Sequence, residues 1–132
     1  MRKNKEVTGS MGGTEDVINV EDHMTELDLA LSRHGLSAEK IILTDELTDP
    51  LAPFRVAASY KIKGEILIKR RITREEQRAV IDALSEFDPR AEELSDDLTF
   101  LKHAVLHEAC HILWRYKNCN ECDAWAFYEM LI

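Results

Sequence analysis

His107-Glu108-Ala109-Cys110-His111 is a run whose residue types and spacing can do chemistry together. Two histidines four positions apart stack on one helical face about a turn apart, close enough to share one metal at roughly 2.0 to 2.1 Å per nitrogen. The glutamate between them points off that line, so it need not ligate and can instead take a proton from water that the metal activates. Metal-assisted hydrolysis is the leading expectation, with zinc as cofactor, His107 and His111 as metal ligands and Glu108 as the catalytic general base.

A catalytic zinc site keeps three protein ligands and one open position. Glu121 and Asp123 follow the motif closely, with the turn Lys117-Asn118-Cys119-Asn120 letting the chain fold back, and either acid can supply the third ligand. Glu121 is preferred, because it falls in the first turn of the next helix. The competing assignment for Glu121 is a capping box that starts at Asn118. Cys119-x-x-Cys122 offers a rival use of the same histidines, a closed tetrahedral site built from His107, His111, Cys119 and Cys122, which makes the chain a non-catalytic zinc-stabilised binding module. That arrangement gives Glu108 no role. The cysteine pair does not follow the strand of a βαβ unit, which argues against a thioredoxin-like redox motif. Cys110 reads as a small buried hydrophobe, and His103, one turn before His107, as an exposed helix residue. Tyr116, Tyr128 and Arg115 are the local candidates to face a developing oxyanion.

The elements that must position these residues are legible in the apolar spacing. Residues 1–18 are polar and Gly-rich and read as a mobile tail, leaving 19–132 as a single domain. Val20, Met24, Leu27, Leu31 and His34 keep helical spacing up to Gly35, and predict a first helix over about 20–34 with His34 as a cap or surface residue. A short strand over 40–44 precedes a loop with Pro50 and Pro53. Phe54 to Lys63 and Glu65 to Ile72 form a hairpin turning at Gly64. Thr73-Arg74-Glu75-Glu76 opens a helix with a capping box, and that helix stops before Pro89. Ser95 caps a long helix over about 96–117 whose stripe Leu98, Leu101, Val105, Ala109, Ile112 and Tyr116 is buried, leaving the histidines on another face. A last helix spans about 119–131. The class is α+β: a small, mostly antiparallel sheet packed on the long metal-bearing helix, with additional helices.

With 132 residues, 45% of them hydrophobic and 32% charged, the chain suits one globular domain. The net charge of −8 argues against general affinity for nucleic acid or anionic membrane. Its one basic cluster, Lys61, Lys63, Lys69, Arg70, Arg71 and Arg74, suits an acidic partner or a guarded sheet edge. No apolar run approaches the ~20 residues of a membrane span. Three cysteines fit a reducing compartment, so the expected location is cytoplasmic.

The motif and the later stretch Glu121-Cys122-Asp123-Ala124-Trp125-Ala126-Phe127 together resemble the zincin superfamily, and within it the small gluzincin-like peptidases that include the ImmA/IrrE family. The resemblance covers roughly residues 54–132. It implies a minimal zincin-like fold and a zinc metallopeptidase that acts on a protein or peptide substrate. It also implies that His107, His111 and Glu121 hold zinc, that Glu108 is the general base, and that the strand over about 65–71 borders the cleft and pairs with an extended peptide.

Overall fold

The computed structural model describes residues 17–47 and 55–130. These form β1 (Val17–Asn19), α1 (Met24–Ser32), β2 (Ile41–Thr44), β3 (Ala57–Tyr60), β4 (Glu65–Lys69), β5 (Arg71–Thr73), α2 (Arg74–Ser85), α3 (Asp97–Leu113) and α4 (Cys119–Glu129), joined in part by short 3₁₀ segments. The expected tail lies outside the described residues as far as position 16, as do the Pro50/Pro53 loop and Phe54. Val17 and Ile18 are strand, not tail. Ile18 pairs with Ile72 of β5, and both side chains are buried.

The α+β class holds. β4 is the middle strand of a three-stranded sheet, parallel to β2 on one side and antiparallel to β3 on the other, while β1 and β5 form a separate antiparallel ribbon. Ile66 and Ile68 alternate inward along β4, the period of two that a half-buried strand requires. The hairpin between β3 and β4 turns at Gly64, whose φ of 67° is a left-handed conformation that favours glycine. The expected second hairpin strand is broken at Arg70. β4 ends there and β5 departs to meet β1.

Helix α2 begins in the expected capping box, with Thr73 Oγ1 accepting from Glu76 N and Glu76 Oε1 accepting from Thr73 N. Two helix boundaries differ from expectation. The first helix is a 3₁₀ turn over Val20–His23 followed by α1, and His34 beyond it faces Glu129 at 3.1 Å and packs against Trp125 with the rings tilted. The long helix is capped by Asp96 in place of Ser95, the Asp96 carboxylate accepting from Thr99 N at 3.0 Å, and it stops at Leu113. Trp114 leaves helical dihedrals, so Tyr116 falls off the buried stripe and is 81% exposed. The turn that follows lets α4 fold back against α3.

Leu101, Val105 and Ala109 of α3, with Phe100, pack into one core with Leu27, Leu31, Ile66, Ile68 and Phe127. Three of the six residues of the basic cluster are in ion pairs. Lys69 pairs with Glu76, Arg70 with Asp45 and Glu21, and Arg74 with Asp97. Among the described residues no helix is long and apolar enough to cross a membrane.

Candidate metal centre

The site stands where α3 and α4 meet. Four residues apart on α3, His107 and His111 bring their Nε2 atoms to 3.2 Å. α4 starts with Cys119 at its first position, and the Cys119 sulfur lies 3.7 Å from His111 Nε2. One ligand atom from each of the three lies within 4.8 Å of the others. Tetrahedral zinc with nitrogen at ~2.05 Å and sulfur at ~2.3 Å sets its donors about 3.3 Å apart for two nitrogens and about 3.6 Å apart for nitrogen and sulfur. The two spacings to His111 Nε2 match, the third donor pair lies within 4.8 Å, and His107, His111 and Cys119 can hold a metal ion. Imidazole and thiolate donors suit zinc among other transition metals.

Asp123 holds the first histidine in place. Its Oδ1 accepts from His107 Nδ1 at 2.6 Å, which puts a proton on Nδ1 and leaves Nε2 facing His111. Metal-ligating histidines are commonly oriented in this way by a carboxylate. Burial alone would lower the His107 pKa, but the hydrogen bonds to Asp123 and Cys119 raise it to about 10. The pair thus binds a cation at this ring strongly, a proton in the free site or a metal in its place. The hydrogen bond to His107 holds the Cys119 thiol below its ordinary value, as a ligating sulfur requires. Burial and the nearby charges of His107 and Lys61 lower His111 and keep its nitrogen available.

Glu108 is buried, with Oε2 4.0 Å from His107 Nε2. Burial pushes its pKa up, against the opposing pull of His107, Arg55 and a hydrogen bond from Ser59. A carboxylate desolvated in this manner takes up a proton more readily than one in water.

Comparison of the chain with protein-family models, curated proteins and solved structures finds no match.

Of the residues expected to form the site, His107, His111 and Glu108 come together and Glu121 does not. Glu121 is exposed and completes a capping box, accepting from Asn118 N at 2.9 Å while its own N–H bonds Asn118 Oδ1 at 2.9 Å. Asp123, the other candidate third ligand, is the partner of His107. The closed four-ligand arrangement is also not assembled, because the Cys122 sulfur sits 3.6 Å from His111 Nδ1, across the ring from the nitrogen that faces Cys119. His103, expected to be exposed, is buried against Phe127 at 4% exposure, and Nε2 lies 3.3 Å from Asp123 Oδ1 without a hydrogen bond. Burial pushes its pKa down to about 4 and keeps the ring neutral.

A cavity of about 400 Å³ opens beside these groups. Val56, Ala57, Val80, Leu84 and Phe100 make its apolar wall, and His107, Glu108, Cys119 and Asp123 border it. Tyr116 and Tyr128 are exposed away from it, and Arg115 is engaged with the Lys61 carbonyl, so none of the three expected oxyanion donors lines the cavity. β4 cannot accept an extended peptide, since both its edges are already paired. The edge strand that reaches the cavity is β3, through Ala57.

Proposed function

We propose that the chain is a zinc-dependent hydrolase acting on peptide bonds. The observation that carries this reading is the convergence of His107, His111 and Cys119 donor atoms within 4.8 Å of one another, with the Glu108 carboxylate beside them. Three donors leave one coordination position for a reactant, the mark of a catalytic rather than a structural zinc site. When bound, the ion supplies Lewis acidity that lowers the pKa of water and polarises a carbonyl. Asp123 orients the His107 ring. Glu108 accepts a proton from the attacking water and delivers it to the leaving amine. The apolar wall of the cavity lies beside that carboxylate and offers room for a substrate side chain. Peptide as the substrate class follows from the zincin resemblance of the motif. The non-catalytic binding module requires Cys122 as a fourth ligand, and its place behind His111 argues against it.

Glu108→Gln tests the assignment. The variant is expected to keep zinc and fold but to lose hydrolysis of a quenched-fluorescent peptide mixture. In both proteins X-ray absorption of the zinc form should show a single sulfur neighbour near 2.3 Å. A Gln variant that cleaves as fast as the parent rejects the general base, and two sulfur neighbours reject the open site.

A further inference from the structure

Cys119 and Cys122 stand three residues apart in the first turn of α4 and differ in access: Cys119 is exposed and Cys122 is buried. They flank a single imidazole, Cys119 at 3.7 Å from His111 Nε2 and Cys122 at 3.6 Å from Nδ1. Residues so spaced on a helix have Cβ atoms about 5–6 Å apart, against about 3.5–4.5 Å in a disulfide. A shift of an ångström or two in that turn, with both thiols rotating away from the two ring nitrogens they face, therefore closes the gap. That shift draws the Cys119 sulfur off His111 Nε2.

We infer that Cys119 and Cys122 are an oxidation site for hydroperoxides, whose disulfide removes the third ligand and empties the metal centre. The inference rests on the metal-site reading above, not on peptide hydrolysis. The exposed Cys119 sulfur gives an electron pair to the terminal peroxide oxygen, the O–O bond breaks, and the departing oxygen takes up the thiol proton and leaves as water from hydrogen peroxide or as an alcohol from an organic hydroperoxide, producing a sulfenic acid. The Cys122 sulfur then attacks the Cys119 sulfur. The S–S bond forms, the S–O bond breaks, and a water leaves with the Cys122 thiol proton. In sum two thiols and one hydrogen peroxide give one disulfide and two waters. Cys110, buried beside Cys122, is shielded from the oxidant and offers the competing pairing.

The test treats the zinc-loaded full chain with one equivalent of hydrogen peroxide. Intact mass and peptide mapping follow the cysteines, and a chromogenic chelator follows released zinc. The expected result is a loss of two hydrogens mapped to Cys119–Cys122, one zinc ion freed per disulfide, and recovery of zinc binding after dithiothreitol. In Cys122→Ser the same treatment should leave oxygen atoms on Cys119 and no disulfide. Retention of zinc after oxidation, a Cys110–Cys122 bridge, or oxygenated Cys119 in the unaltered chain each overturns the inference. A chain that binds no zinc before oxidation overturns it together with the metal site, whereas release of zinc from a chain that cleaves no peptide leaves it standing and removes only the hydrolase.

Discussion

At the scale of single residues, the i to i+4 spacing that made His107 and His111 recognisable recurs on α4 in Cys119 and Asp123. That spacing sets the thiol and the carboxylate on one helical face, and Glu121, two positions after Cys119, on another. The periodicity is present in the sequence, but first-turn placement, the ground for preferring Glu121, does not distinguish these two faces. The roles of Asp123 and Glu121 separate by mutation. Asp123→Asn keeps the shape but removes the charge that orients His107, and a lost outer partner of this kind costs roughly 10–100-fold in metal affinity. Zinc competition against a chelator should show that loss. Glu121→Ala should leave zinc affinity unchanged and lower thermal stability by about 1 kcal/mol as the cap is lost. Zinc affinity that falls in Glu121→Ala and holds in Asp123→Asn reverses the two assignments.

At the scale of elements, what the sequence made legible follows how local the determining interactions are. The Thr73 capping box and the Gly64 turn are settled by residues within four positions, and both appear where expected. β1 depends on Ile18 meeting Ile72 across the fold, and the β-branched Val17, Ile18 and Val20 make too short a run to announce a strand by themselves. The end of α3 is likewise a tertiary matter. Residues 114–117 keep a helical pattern, yet α4 must return to place Cys119 at His111, and the helix yields at Trp114. The start of α3 rests on Asp96, whose carboxyl is held below its ordinary value first by Thr99 N–H and then by the Thr99 hydroxyl. A depressed carboxyl stabilises the fold fully above the unfolded value near 3.9, and that contribution disappears as pH falls through the folded value. Asp96→Ala should therefore cost about 1 kcal/mol at neutral pH. In denaturant titrations the difference from the parent should fade as the pH drops below about 4. A difference that does not change with pH places the cost elsewhere than in the ionised cap.

At the scale of the whole molecule, the metal ligands and the core are separate sets of residues. Phe100, Leu101, Val105, Ile66, Ile68 and Phe127 are buried without help from His107, His111 or Cys119, and each such large side chain contributes roughly 1.5–3 kcal/mol. The ligands span only the connection between α3 and α4, a segment already closed by the Asn118 cap and by the return of α4 onto α3. Zinc should therefore add stability by mass action to a domain that folds without it. With free zinc at a hundred times its dissociation constant the gain is about 2.7 kcal/mol. For a chain of this size that raises the melting temperature by roughly 8–15 °C. The zinc-free protein, prepared with chelator, is expected to keep its far-ultraviolet circular dichroism and a cooperative thermal transition, lowered by that interval and restored by zinc. A structural centre behaves differently, because a small domain organised around its metal loses the fold when the metal leaves. Loss of cooperative unfolding in the zinc-free chain therefore favours the binding module, whereas a folded zinc-free protein with a lower melting point fits a site free to use its fourth position for chemistry.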